Sequence, residues 1–189
     1  EFGIARAVQL VGVIGRLSPE KGQKYFIQAF RDVLLKAPHT KAIIVGDGPD
    51  RKVLEKYISD SGLKEKIILT GHRKDIPAFY RAIDVVVIPS LSEGLPNVAL
   101  EALVYGKPLI GTGVGGIPEV IVHGQNGIIV PPAAPVALGE GIVRLLRDAD
   151  LRNKLGSIGR ESILTKFSPV TRAENLRQIY EELFRAKSN

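Results

Sequence analysis

Two glutamates and two cations carry the residue types best suited to chemistry in this chain. Glu93 and Glu101 stand with seven residues between them in PSLSEGLPNVALEAL (89–103), and Arg16 and Lys21 lie within GRLSPEKG (15–22). Carboxylates accept hydrogen bonds from hydroxyls such as those of a sugar. Glu101 falls among Val98, Leu100 and Leu103 on a helix face read as buried, where a charge needs donors. The N–H groups from Gly94 to Val98 open that helix and have no intrahelical partner, so they fit phosphate oxygens. Arg16 and Lys21, beside a strand end and just before a helix N-terminus, would hold a diphosphate. The structural alternative makes Glu101 a salt-bridged helix residue, Glu93 a surface loop residue and Lys21 a solvated cation. The segment around Arg16 has neither the G-x-G-x-x-G of a dinucleotide fold nor the G-K-[S/T] ending of a P-loop.

A third cluster, GTGVGGIPE (111–119), places four glycines before a short helix. It reads equally as a second backbone nest near a ligand or as a sharp turn across the sheet edge. Glu119 complements the dipole of that helix. GQNG (124–127) reads as a turn into the last strand. His72 lies at a strand end, as a ligand contact or a surface histidine. His123 reads as structural and Asp47 as a helix cap. No Ser/His/Asp arrangement is apparent. With no cysteine and only three histidines, far apart, neither a thiolate nor a His-rich metal site is expected.

These residues need a frame, and the apolar pattern supplies one. Val8–Ile14, Ala42–Val45, Ile67–Leu69, Val85–Ile88, Leu109–Ile110 and Ile128–Val130 are short Val/Ile/Leu runs, the mark of strands buried on both faces. Between them lie helical segments. Phe26, Ala29, Phe30, Val33 and Ala37 share one face, ending before Pro38. Gly48-Pro49-Asp50 opens the next helix, in which Leu54, Tyr57 and Ile58 face the core and which Gly62 stops. Shorter helices span 75–82, 96–105 and 118–122; after Val130 only helices follow, over 136–146, 151–167 and 170–187. The alternation predicts right-handed βαβ units in a Rossmann-like, doubly wound, six-stranded parallel α/β sheet with extra C-terminal helices. Ligands of such sheets bind outside the carboxyl ends of the strands. The motif residues fall just after the strands.

The 189 residues suit one domain spanning 1–189, with a core that needs no disulfides. Lys and Arg number 26 against 20 Asp and Glu, a net charge of +6. The positive residues are dispersed and aromatics are only 6%, so an anionic small ligand is expected and nucleic acid is not. The longest stretch free of Asp, Glu, Lys and Arg, Val120–Gly139, carries three prolines and three glycines and is no membrane span. No signal peptide is visible, and a cytoplasmic location is expected. The lack of any methionine reads as a fragment, a processed product or a trimmed chain.

In this order and spacing, the motifs resemble the C-terminal, donor-binding domain of retaining GT-B glycosyltransferases, in particular glycosyltransferase family 4 (group 1). The likeness rests on Glu93 and Glu101 in their segment, GRLSPEKG (15–22), VGDGP (45–49), LTGH (69–72), GKPLIGTGVGGIPE (106–119) and GQNGIIVPP (124–132), and it covers about residues 8–185. It implies a nucleotide-diphosphate-sugar donor and transfer of a hexosyl group to a sugar or lipid acceptor. By position, Arg16 and Lys21, next to Gly15, would hold the diphosphate and stabilise the leaving nucleotide. Glu93 would bind sugar hydroxyls. Gly94, Leu95, Pro96, Asn97 and Val98 would line phosphate and sugar, Glu101 would bind the ribose, and the Thr70–Arg73 loop, with Gly71 and His72, would contact the base.

The resemblance implies no metal cofactor. Leu95 stands where the family usually has an aromatic, and Pro96 where it has a small residue, which bears on sugar preference. A GT-B enzyme has two Rossmann-like halves; the N-terminal half, which binds acceptor, is not in this sequence. The last helix, Val170–Lys187, is expected to expose an apolar patch for that half, and membrane contact is expected only through it. The chain alone is expected to fold and bind nucleotide weakly, but to transfer no sugar. The alternatives are a GT-B relative such as a sugar epimerase, or a nucleotide-binding or interaction module without transferase activity.

Overall fold

A computed structural model describes residues 2, 3, 5 and 7–187. Its six strands are β1 (Leu10–Ile14), β2 (Lys41–Val45), β3 (Ile67–Gly71), β4 (Val85–Ile88), β5 (Leu109–Thr112) and β6 (Ile128–Val130). They form one parallel sheet in the order β3-β2-β1-β4-β5-β6. The helices are α1 (Gln23–Lys36), α2 (Arg51–Asp60), α3 (Ile76–Ala82), α4 (Asn97–Val104), α5 (Ile117–Val120), α6 (Pro135–Arg147), α7 (Ala149–Lys166) and α8 (Pro169–Lys187). The order reverses between β1 and β4, which pair as Val11 with Val85 and Gly12 with Val86. At such a switch point the loops leaving two neighbouring strands diverge to opposite faces and leave a crevice.

Continuous apolar strands are explained by a core on each face. Val11, Val13, Ile44, Val85 and Val87 pack with Phe26, Phe30 and Val33 of α1 and with Ile142 and Leu145 of α6. Their strand neighbours Leu10, Ile43, Val45, Val86 and Ile88 pack on the other face with Phe79 and Tyr80 of α3 and with Ala99, Ala102 and Leu103 of α4. Successive strand residues thus serve opposite layers. Truncating a wholly buried residue such as Phe30 to alanine should cost about 3–5 kcal/mol.

Several boundaries differ from the sequence expectation, each for a local reason. β1 starts at Leu10 because Val8 is held in a turn, its N–H donating to Ala5 O at 3.0 Å. Pro49 lies before α2 rather than in its first turn, since Asp50 is the N-cap. Asp47 does not cap that helix; its Oδ1 accepts from Gly48 N and its Oδ2 from Arg51. Pro96 is likewise the N-cap of α4 and not its first turn. α5 ends at Val120 because buried Asn126 takes Val122 N–H and donates to Val120 O.

Along α8, Leu176, Ile179, Tyr180 and Leu183 are exposed at helical spacing, an apolar stripe with solvent against it. No described helix is long and apolar enough to cross a membrane.

Candidate functional site

Two loops leave the switch point, one after β1 and one after β4, and they are joined backbone to backbone. Leu91 N–H donates to Glu20 O at 2.7 Å. Gly22, at φ 67°, lies against Pro89, where a Cβ would collide with the carbonyl oxygen. Only glycine permits both that backbone angle and that approach. Lys21, near the start of the chain, and the acidic segment some seventy residues later therefore share one crevice. Gly15, Lys21, Gln23, Pro89, Ser90, Glu93, Leu95, Pro96, Asn97 and Val98 line it.

At its centre Lys21 Nζ donates to Glu93 Oε1 at 2.8 Å and to Oε2 at 2.9 Å. The lysine side chain is 28% exposed and the glutamate 11%. Ser90, itself buried, donates through Oγ to Glu93 Oε2 at 2.9 Å. Thr112 Oγ1 in turn donates to Ser90 O at 2.5 Å. Glu93 is thus aimed by a serine on its own loop, held from the end of β5. Gln23 Nε2 fixes the other loop by donating to Arg16 O at 2.7 Å.

The four-glycine loop proves to be a shim. Gly115, at φ 52°, lies directly on the backbone of Glu93, where a Cβ would strike its carbonyl oxygen, and Gly116 N–H donates to Gly94 O at 3.0 Å. It supports the glutamate-bearing loop from behind. At the entrance to α4, Asn97 N–H turns back to Leu95 O at 3.0 Å. Among the described residues, the N–H groups of Gly94, Leu95 and Val98 donate to no carbonyl of the protein, so three donors at one helix start remain for a ligand.

Other expected residues lie further out. Arg16 is exposed and its side chain is not among the cleft walls. Glu101 is exposed, contrary to the buried face expected of it; it sits one turn along α4 from Asn97 and Val98. Its Oε2 accepts from the Tyr80 hydroxyl at 2.9 Å. Gly71 is tied to the β2 loop, its carbonyl accepting from Gly46 N at 3.0 Å, and His72 is exposed beside it. Arg73 pairs with Asp75 at 2.9 Å and lies over the rings of Phe2 and Phe79, away from the cleft. The Arg73 guanidinium holds the Asp75 carboxyl below its usual range. His123 accepts from Ile129 N–H through Nδ1 at 3.1 Å, a structural contact.

Ser90, Gln23, Thr112 and Tyr80 were not assigned from sequence. A serine three residues before a candidate glutamate, just past a strand end, was the one readable signal among them.

A doubly wound sheet in this strand order, with a crevice at its switch point, is a Rossmann-like unit, and its structural neighbours are C-terminal domains of GT-B glycosyltransferases. The C-terminal domain of the glycosyl transferase group 1 family protein LpcC from Francisella tularensis superposes with a TM-score of 0.79 at 33% identity, over 85% of this chain and 87% of that one. Alr3699/HepE from Anabaena, solved in complex with UDP and glucose, matches with a TM-score of 0.86 at 30% identity, over 95% of this chain and 49% of its own. The family model for glycosyl transferases group 1 matches residues 2–162, and this chain belongs to that family. Alpha-D-kanosaminyltransferase of Streptomyces kanamyceticus is 32% identical over 176 residues, 92% of this chain and 46% of the relative. The chain spans about half the length of the curated relatives it matches.

Proposed function

We propose that residues 1–189 are one domain, the donor-binding half of a retaining, family 4 glycosyltransferase that moves a hexosyl group from a nucleotide-diphosphate sugar to a sugar or lipid acceptor in the cytoplasm. The observation that carries this reading is the Lys21–Glu93 pair in the crevice between β1 and β4. In it, Lys21 and Arg16 neutralise the diphosphate and stabilise the leaving nucleotide. The free amides of Gly94, Leu95 and Val98 take phosphate oxygens, a fixed array that needs no reorganisation as charge develops. Glu93 accepts from the donor sugar's hydroxyls, and Leu95, Pro96 and Asn97 shape that subsite. A glutamate engaged in this way is a poor nucleophile, so electrostatic stabilisation of the departing phosphate is the main catalytic contribution of this half. Glu101 accepts from the ribose, and the Thr70–Arg73 loop reaches the base through Gly71 and His72, Arg73 being turned to Asp75. The positive charge comes from side chains and amides, with no metal cofactor.

In this reading a second Rossmann-like half, N-terminal to this one, brings the acceptor and covers the apolar stripe of α8. Relatives about twice as long have room for it. A binding module of GT-B type without transfer activity is the second reading.

Calorimetric titration with UDP-, GDP- and ADP-sugars tests the proposal: one series should bind. Lys21→Ala or Arg16→Ala should then weaken diphosphate binding by about 1–3 kcal/mol. Unchanged affinity removes that residue from the site.

A further inference from the structure

Glu101 is an exposed carboxylate that, among the described residues, pairs with no cation, yet it is held. Its partner is Tyr80, a side chain only 1% exposed on a different helix. The Tyr80 ring is set in the core and stacks on Tyr105 at the end of α4, with centroids 5.3 Å apart and planes 12° apart. From there the hydroxyl reaches two acceptors, Val98 O at 3.4 Å and Glu101 Oε2 at 2.9 Å. The shorter bond goes to the charged group, although the carbonyl alone would have satisfied a buried tyrosine. Asn97 and Val98 line the cleft, and positions three and four further along a helix share a face, which puts Glu101 beside them.

We propose that Tyr80 is a positioning residue that holds the Glu101 carboxylate in a single orientation for the ribose hydroxyls of the donor nucleotide. This rests on the reading of Glu101 given under Proposed function. One oxygen of Glu101 is occupied by the phenol and the other stays open to ligand donors. An exposed glutamate is otherwise free among rotamers, and that freedom is lost on binding. Burial, reinforced by the adjacent carboxylate, pushes the Tyr80 hydroxyl well above its ordinary range, so it remains a donor at any working pH.

The test compares a nucleoside diphosphate, taken as the tightest of UDP, GDP and ADP, with its 2′,3′-dideoxy counterpart and with inorganic pyrophosphate. The intact chain should prefer the ribonucleotide. Tyr80→Phe keeps the stacked ring and should cut that preference about tenfold, the scale of a hydrogen bond to a charged group, with pyrophosphate affinity unchanged. Glu101→Ala should abolish the preference, and Tyr80→Phe added to it should change nothing more. A preference unaltered by Tyr80→Phe but lost in Glu101→Ala overturns the role of Tyr80 and leaves the ribose reading intact. A preference unaltered by Glu101→Ala overturns the ribose reading and the role of Tyr80 with it.

Should the phenylalanine variant fold poorly, carbon-labelled tyrosine in the unmodified chain reads the same contact. Of its five tyrosine signals, that of Tyr80 should shift with the ribonucleotide and not with pyrophosphate. A silent Tyr80 signal overturns the proposal.

Discussion

Replacing either partner of the Lys21–Glu93 pair should move nucleotide affinity in opposite directions. Lys21 reaches both oxygens of Glu93, at 2.8 and 2.9 Å, with side chains 28% and 11% exposed. Such a pair lies between exposed pairs, worth about 0–1 kcal/mol, and buried ones, where removing one partner costs about 3–5 kcal/mol. Lys21→Met leaves the more buried partner uncompensated, so it should destabilise by about 1–2 kcal/mol and lower Tm by about 2–8 °C. It also deletes a charge-assisted bond to phosphate, a loss of about 10- to 150-fold in affinity for a nucleoside diphosphate. Glu93→Gln leaves behind the more hydrated partner. It also frees Lys21 from a competitor worth about 0.5–1 kcal/mol, so the nucleoside diphosphate should bind about two- to fivefold tighter. The extra affinity that the sugar moiety contributes should vanish in the same variant. Calorimetry on both variants, with nucleoside diphosphate and with sugar nucleotide, reads all of these. Equal weakening of nucleoside diphosphate by both substitutions would refute the competition between Glu93 and phosphate for Lys21.

Gly115→Ala forces a Cβ against the Glu93 carbonyl at a left-handed backbone, so it should cost about 1–3 kcal/mol and weaken donor binding; Gly124→Ala, with open space around it, should leave donor binding unchanged. Thermal melts and titrations of the two variants separate backbone strain from displacement of the loop. Tyr80 stays protonated when folded and ionises above pH 10.0 when unfolded, so the native state then binds more protons and stability falls with rising pH. From about pH 10 upward the unmodified chain should lose stability relative to Tyr80→Phe, with a slope that approaches about 1.4 kcal/mol per pH unit near pH 11.5, measured by urea unfolding. Finally, residues 1–189 alone should release no nucleotide above background from a sugar nucleotide with acceptors present; measured transfer to an acceptor would contradict the need for a second half.

The layers of this fold were legible because the strand runs are apolar on both faces and the helices carry one apolar stripe each. Local polar chemistry read less well. Pro49 and Pro96 are good first-turn residues by propensity, but here they precede their helices, because Asp50 forms the N-cap of one and Asn97 N–H folds back to Leu95 in the other. Glu101 was expected on a buried face because its neighbours are apolar; the structure leaves it exposed. Lys21 and Glu93 could be joined in advance only through the spacing of known motifs, since no periodicity spans seventy-two residues. Tyr80 carried no signal at all: hydropathy marks it as core, which it is, and its hydroxyl's partner lies across a strand and a loop. The role of Gly115 was equally hidden, because a glycine serving as a shim has the same sequence signature as one serving a turn.

The claim on which everything rests is that one crevice between the β1 and β4 loops takes a nucleotide diphosphate. Amide chemical-shift mapping of the labelled chain, titrated with UDP, GDP and ADP, tests it most directly. One nucleotide should move the signals of Gly15, Lys21, Gly94, Leu95 and Val98 together, along a single saturating curve. Shifts confined to other surfaces, or none at millimolar nucleotide with all three bases, would contradict it.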